Sequence, residues 1–346
     1  MYDIITIGTA TRDVFIKSAL FTNVHDPKHL KKLGFLDGDA TCFMPGAKLE
    51  IEKPVFATGG GATNTATTFA RMGLHVGIIG KIGIDDGGDR ILAECRTEGI
   101  KSLIISDKAL STAYSVILVP VAGERTILAH RGASDKLKPA DITRVATKSK
   151  WVYIVPGNIP FPTIMHAVNI FTKNGSMVAF NPSKHVVEKG LLALAPLLKK
   201  IDVLLMNREE ASILTGIQYD SIERILSTLH TSYAGIAVVT DGPAGAYVIT
   251  PNHRYDCTVF PKKVVADATG AGDAYGSAFV STLIHAQKVK KETTFSEETI
   301  REAIRAASAN SASVVEHIGA KHGILTKSQL EKNPRWKKLK IKITTL

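Results

Sequence analysis

Two glycine-rich stretches carry residues whose types and spacing could do chemistry. Asp267-Ala268-Thr269-Gly270-Ala271-Gly272-Asp273-Ala274-Tyr275 follows the apolar pair Val264-Val265 and opens an apolar helical run, Ala274–His285. Gly270 and Gly272 let the backbone bend closely round a ligand. The first N–H groups of a helix have no partners inside it, so they can receive an anion. Asp273 stands on that turn and sets a carboxylate beside the anion. This pairing suits phosphoryl transfer: the N–H groups stabilise charge on the moving group, and the carboxylate takes the proton of an acceptor hydroxyl. An ordinary glycine turn with an Asp near a helix start would read the same. The second stretch, Thr58-Gly59-Gly60-Gly61-Ala62-Thr63-Asn64-Thr65-Ala66, sets three glycines before a helix of small residues. Asn64 offers a donor and an acceptor to a polyol; a tight strand-to-helix turn is the plainer account. No Gly-x-Gly-x-x-Gly follows the first strand and no Gly-Lys-Ser/Thr P-loop occurs, so a nucleotide would be held by another device.

The elements that must position these residues alternate. Tyr2–Gly8, His75–Ile82, Trp151–Val155, Met177–Phe180, Val203–Met206 and Gly235–Thr240 read as strands. Gly61–Met72, Asp86–Glu98, Pro162–Thr172 and Val187–Leu198 read as helices, two of them closed by Gly73 and Gly99. This rhythm predicts an α/β fold, a doubly wound, mostly parallel sheet with helices on both faces. Two segments break it: Thr112–Val121 with Glu124–Arg131, a hairpin turning at Ala122-Gly123, and the mixed stretch from Phe15 to Val55. Together they predict a small β lid. The expected organisation is a core of 1–14, 56–111 and 132–331, a lid of 15–55 and 112–131, and a basic C-terminal tail, 332–346.

The two glycine motifs together resemble the two signature regions of the PfkB, or ribokinase-like, carbohydrate kinases. Further matches follow in the family's order: Phe180-Asn181-Pro182, Asn207-Arg208-Glu209-Glu210, Thr240-Asp241-Gly242-Pro243-Ala244-Gly245, and Asn310 through Gly319-Ala320-Lys321. The resemblance covers about residues 2–330. It implies a ribokinase-like core with a β lid and ATP-dependent phosphorylation of a hydroxymethyl group. It makes Asp273 the catalytic base and Gly270, Ala271 and Gly272 the anion hole. It places Asn207 and Glu210 near Mg²⁺ and the phosphates, acting through water, which suits an ion that keeps several waters. It sets Asn181, Thr240, Gly242, Gly245 and Asn310 along ATP. It puts Asp13, Gly60, Gly61 and Asn64 at the acceptor, where a carboxylate can accept from two adjacent hydroxyls. Asp267 and Thr269 fall where the family often binds a monovalent cation such as K⁺, although Ala268 replaces the usual Thr. Thr11 stands where ribokinases often carry Asn, which weakens ribose specifically. A homodimer through the lid is implied by the resemblance alone. His130 and Arg131 could meet a phosphate on the acceptor, giving a sugar-phosphate kinase, or lie on the lid exterior. Lys184 could reach a phosphate or be a surface lysine. Phe15, Phe43 and Phe161 are candidates for stacking a nucleoside base.

Composition bounds the alternatives. The chain has 346 residues, 45% hydrophobic and 22% charged, which excludes a disordered or disulfide-scaffold protein. No apolar run is long enough to span a bilayer and no signal peptide is legible, so no membrane partner and a cytoplasmic location are expected. Three widely spaced cysteines fit reduced thiols. Of the net +11, six charges come from Lys332, Arg335, Lys337, Lys338, Lys340 and Lys342, which read as a solubilising tail or a lysine-guarded edge strand. Nucleic acid is not the expected partner, because no recognition motif accompanies the charge. The expected function is an ATP-dependent kinase of a sugar or nucleoside. A sugar-phosphate kinase and a non-catalytic ligand-binding regulator on the same scaffold stand as alternatives.

Overall fold

Apolar strands with no polar face dominate the core, and the tertiary arrangement explains why. A computed structural model describes residues 1–35, 38–120, 125–261, 265–292 and 294–346. The central sheet has ten strands. Lys101–Ser102, Val76–Ile79, Tyr2–Gly8, Ser149–Val155, Met177–Phe180, Val203–Asn207 and Ile236–Thr240 lie side by side and parallel. Ala246–Ile249, His253–Cys257 and Ile341–Thr345 extend the sheet antiparallel. Successive residues point to opposite faces, and both faces are covered. Ile4, Trp151, Tyr153, Leu205 and Val238 share one core with helices Gly61–Arg71, Ala271–Lys290 and Glu297–Val314. Ile5, Val152, Ile154, Leu204 and Val239 share the other with Phe161–Lys173, Gly190–Leu198, Arg208–Thr215 and Ile222–Ser232. The doubly wound fold is as predicted.

Local differences have local causes. The strand read over His75–Ile82 divides, because Lys81–Gly83 leaves the main sheet to pair with Ile105–Asp107. The helix read over Val187–Leu198 also divides: Lys184–Val187 stops before Gly190, whose φ is +76°. The three cysteines are free, two of them buried.

A second, four-stranded sheet lies over the first in the order Thr126–His130, Ala113–Val119, Thr11–Lys17, Val55–Gly59. The hairpin's turn, including Ala122-Gly123, falls outside the described residues. The ladder pairs Thr11 with Gly59, so the strand carrying Asp13 belongs to this sheet and not to the core, where 1–14 had been expected to lie. Register then sorts the lid residues. Asp13 and Phe15 share one face with Ala57, Ser115 and Ile117; Arg12 and Val14 share the other with Phe56, Tyr114, Leu128 and His130. The segment between Lys17 and Val55 forms a separate exposed ribbon, Thr22–His25 with Asp39–Cys42.

The basic C-terminal segment is not a loose tail. Trp336 is buried edge-on against Phe260, with ring centroids 5.2 Å apart. Ile341 and Ile343 pack on the core from the edge strand, whose Lys342 guards the open ladder. Asp85 joins lid to core. It caps helix Asp86–Thr97 by accepting from the Gly88 N–H, and its other oxygen accepts from the Thr112 N–H at 2.7 Å. These bonds hold its carboxyl below the usual range against the opposing effect of burial. The stability they give is complete above the unfolded pKa and is lost as pH falls through the lowered one. Asp85→Ala should cost about 1–2 kcal/mol at neutral pH. Denaturant melts at neutral and acidic pH would check it, with the gap to wild type closing in acid.

Candidate active site

The glycine turn, the second glycine stretch and the lid meet at one point. Gly270 is the N-cap of helix Ala271–Lys290, with φ +78°, a conformation glycine adopts without a Cβ penalty. A Cβ there would also lie 2.5 Å from the Cβ of Ala320. The Ala271 N–H turns back to the Ala268 carbonyl at 3.3 Å. The first regular bond inside the helix is from the Ala274 N–H to Gly270. That leaves the N–H groups of Gly272 and Asp273 as the helix donors free for an anion, one residue along from the expected set. A Cβ on Gly272 would meet nothing within 4 Å, so the space in front of this turn is open.

Asp273 sits in the helix's first turn and is half-buried. Burial pushes its carboxyl up; the Asn64 amide and the charge of Lys321 act the other way. Asn64 Nδ2 donates to Asp273 Oδ2 at 2.8 Å. Asn64 Oδ1 is buried with no hydrogen-bond partner among the described residues. Such an acceptor costs stability unless something donates to it. Asn64 is placed by helix Gly61–Arg71, which starts directly after Gly60. Gly60 and Gly61 serve this approach through their lack of side chains: a Cβ on Gly60 would lie 2.5 Å from the Thr9 carbonyl oxygen, and one on Gly61 2.4 Å from Val155.

Asp13 reaches in from the lid. Burial raises its pKa, opposed by bonds from Ser115 and Thr11 and by the charge of Lys321. Gly59 makes room for it, since a Cβ there would lie 2.0 Å from Asp13 Oδ2. Lys321 is buried, and its charge acts on both carboxylates. Its Nζ donates to Thr58 Oγ1 at 2.7 Å and lies 3.4 Å from Glu94 Oε1, and Thr58 in turn bonds to Glu94.

Two adjoining cavities open from the glycine turn. One, of about 230 Å³, is lined by Asn181, Asn207, Glu210, Thr240, Gly270, Gly272 and Asp273, all expected at the site. The other, of about 310 Å³, runs on past Thr240, Gly242, Gly245, Ala271 and Gly272 to an apolar wall that includes Val259, Val265, Ala312 and Val315. Gly245 is required by packing: its φ is +111°, and a Cβ would lie 2.0 Å from the Cys257 carbonyl oxygen. These cavities lie outside the carboxyl ends of parallel strands, where open α/β sheets bind ligands.

With this geometry in place, sequence and structure comparisons become specific. The profile described as "pfkB family carbohydrate kinase" matches residues 35–327. The chain belongs to the pfkB family of carbohydrate kinases. It is 29% identical to the ribokinase of Staphylococcus aureus over 253 residues, covering 70% of this chain and 81% of that one. It is 27% identical to the deoxyribokinase of Salmonella typhimurium over 255 residues, 71% and 82% of the two chains. Among solved structures, ribokinase from Giardia lamblia aligns with a TM-score of 0.75 at 19% identity, covering 95% of this chain and 97% of that one. The adenosine kinase from Sinorhizobium meliloti aligns at 0.74 and 22%, covering 96% and 98%. These two likenesses establish the ribokinase-like fold. Family membership makes this an ATP-dependent kinase with an alcohol group as acceptor.

Of the residues expected along ATP, Asn310 is the one absent from the cavity linings, and two alternatives left open by the sequence resolve to the surface. Asn310 is fully buried and does not reach either cavity. Its Nδ2 donates to the Ala274 carbonyl and its Oδ1 accepts from the Leu325 N–H, so it ties two helices and a loop together. Ser308, Ser311 and Ala312 of the same helix line the slot instead. His130 and Arg131 are exposed; His130 shares the outer lid face with Arg12. Lys184 is a surface lysine 3.8 Å from Glu209. Of the three aromatic candidates, Phe15 faces inward with Asp13, Phe43 packs on Phe21 in the region of the exposed ribbon, and Phe161 lies beneath Lys189.

Mg²⁺ fits the residues present. Asn207 and Glu210 form a reciprocal capping box, in which each side chain accepts the other's N–H. Glu210 is raised by burial and by two neighbouring carboxylates, Glu209 and Asp273. A divalent cation held through water would relieve that repulsion. Asp267 is different: Arg125 Nη1 already sits 2.8 Å from its Oδ1. Arg125, Lys321 and Gly59 were not on the expected site. Lys321 and Gly59 lie inside quoted motifs, whereas Arg125 carries no local signal at all.

Proposed function

We propose that this protein transfers the γ-phosphoryl group of ATP to the hydroxymethyl group of an unphosphorylated sugar or nucleoside, with Asp273 as general base. The observation that carries the reading is the partly buried Asn64–Asp273 pair at the mouth of the glycine turn, with Asn64 Oδ1 left for a donor. A polyol supplies that donor. One hydroxyl gives its proton to Asp273 and another donates to Asn64 Oδ1, while Asp13 accepts from hydroxyls on the lid side. The acceptor oxygen then forms its bond to the γ-phosphorus, and the bond to the β–γ bridging oxygen breaks. Charge on the equatorial oxygens is met by the N–H groups of Gly272 and Asp273. ATP lies along Thr240, Gly242 and Gly245, with its base in the apolar-walled slot. Mg²⁺, held through water by Asn207 and Glu210, would supply charge neutralisation at the phosphates.

The exposed positions of His130 and Arg131 favour an acceptor without a phosphate, since both lie at the surface and His130 is on the lid face opposite Asp13. An intact base and anion turn disfavour the non-catalytic regulator.

The test is ATP consumption by the purified protein across ribose, fructose, 2-keto-3-deoxygluconate, adenosine, cytidine, inosine and fructose 6-phosphate, with Asp273→Asn as control. One strong unphosphorylated acceptor, silent in the variant, is the expected result. Turnover of fructose 6-phosphate alone would refute the acceptor class. A second measurement separates the phosphate side. Gly272→Val puts a side chain into open space, so melting should stay near wild type while the KM for ATP rises about tenfold or more, 1.4 kcal/mol per factor of ten. An unchanged KM for ATP would move the phosphates away from this turn.

A further inference from the structure

Asp267 is the peg on which three segments hang. Its Oδ1 accepts from the Thr269 N–H at 2.9 Å and from Thr269 Oγ1 at 2.6 Å, which shapes the turn leading to Gly270. Its Oδ2 accepts from the Gly319 N–H at 3.0 Å, in the loop after helix Glu297–Val314. The third segment is the lid: Arg125, just before strand Thr126–His130, gives its Nη1 to Oδ1 at 2.8 Å. The Asp267 side chain is 6% exposed and that of Arg125 31%. Three of these four donors crowd Oδ1, which has about two lone-pair sites, and the fourth takes one site on Oδ2. A guanidinium stays protonated at any working pH. A potassium ion on the same carboxylate would have to displace the guanidinium or sit beside it against like-charge repulsion. The residues present therefore do not fit a monovalent cation at Asp267.

We infer that Arg125 is the tethered cation of Asp267, so that the lid itself supplies the charge a dissolved monovalent ion would otherwise bring to the phosphate-side turn. The assignment rests on the kinase reading above. Arg125 acts as a positioning residue: it touches Asp267, and Asp267 holds the turn whose N–H groups face the phosphates. Two consequences follow. Activity does not require K⁺, and removing the guanidinium creates a requirement that was absent.

The experiment uses the full-length protein and a non-hydrolysable ATP analogue with Mg²⁺. Binding is followed by calorimetry in KCl and in choline chloride at equal ionic strength, alongside steady-state kinetics with the acceptor. Wild type should differ by less than about twofold between the two salts, the residue of non-specific screening. Arg125→Ala should bind the analogue on the order of 10- to 100-fold more weakly in choline, as expected when one partner of a partly buried charge pair is lost. Added K⁺ or guanidinium ion should restore much of that loss, a response a merely structural contact would not give. Arg125→Lys should keep part of the affinity; it and the wild-type salt response decide the matter even where the alanine variant folds poorly. Wild-type binding that needs K⁺, or an Arg125→Ala loss that neither cation restores, overturns the assignment and leaves the kinase reading intact. Failure of wild type to bind the analogue in either salt overturns both.

Discussion

Asp273→Asn retains ATP and acceptor binding and loses about 10²–10⁴-fold in kcat, the usual contribution of a positioned general base. The amide keeps the shape of the carboxyl but cannot take a proton. Asn64 accommodates the change without a clash, because its Nδ2 can still donate to the oxygen of the new amide while its Oδ1 stays open to the acceptor. The same substitution should raise the melting temperature. Burial raises the Asp273 pKa in the folded protein. A carboxyl whose folded pKa is raised binds more protons folded than unfolded, so its effect on stability becomes unfavourable as pH climbs from the unfolded value through the raised one. Above that window the ionised group opposes folding, and the neutral amide removes the cost. In wild type the acidic limb of the rate profile should therefore lie at higher pH than an ordinary carboxylate would give. Near-normal turnover in the variant, or a thermal shift downward with kcat preserved, would remove Asp273 from the role of base.

The second large effect belongs to the other carboxylate. Asp13→Ala should raise the acceptor KM by roughly 10²–10³-fold, since each hydrogen bond to a charged group contributes about 1.5–3 kcal/mol. The KM for ATP should hardly move. Asp13→Asn, which keeps the shape, should fall between alanine and wild type. Asp13→Glu should be as poor as alanine, because Gly59 leaves no room: a single added Cβ there would already lie 2.0 Å from Asp13 Oδ2. A rise confined to the KM for ATP would place the acceptor away from the lid face that carries Asp13 and Phe15.

Much of this was open to a linear reading. The glycine turn, Asp273 and the three-glycine stretch are legible because helix starts and close backbone approaches restrict residue choice locally. The parallel sheet is legible for a related reason: strands covered on both faces become apolar throughout. What resisted was everything set by pairing between distant segments. Asp13 was read from its spacing after Gly8, but the strand that holds it belongs to the lid, a fact decided by its ladder with Val55–Gly59 and Ala113–Val119. Asn310 was assigned to ATP by motif order. The helix instead turns that residue inward, and its neighbours Ser308 and Ser311 outward, a choice of helical face made by packing against Ala274 and Leu325. His130 and Arg131 could not be placed until strand register set His130 on the lid face opposite Asp13 and left both residues exposed.

The chain's residue types therefore determined by themselves the class of fold and the glycine turn that opens a helix at Asp273. Each follows from local backbone geometry or from a repeating pattern of burial. Tertiary structure alone decided which charges meet. Lys321 pairs with Glu94 from the far end of the chain, and Arg125 reaches Asp267 across 142 positions of sequence. Ion pairing depends on distances through space and on how much water is excluded between the partners, and neither is written in the order of residues along the chain.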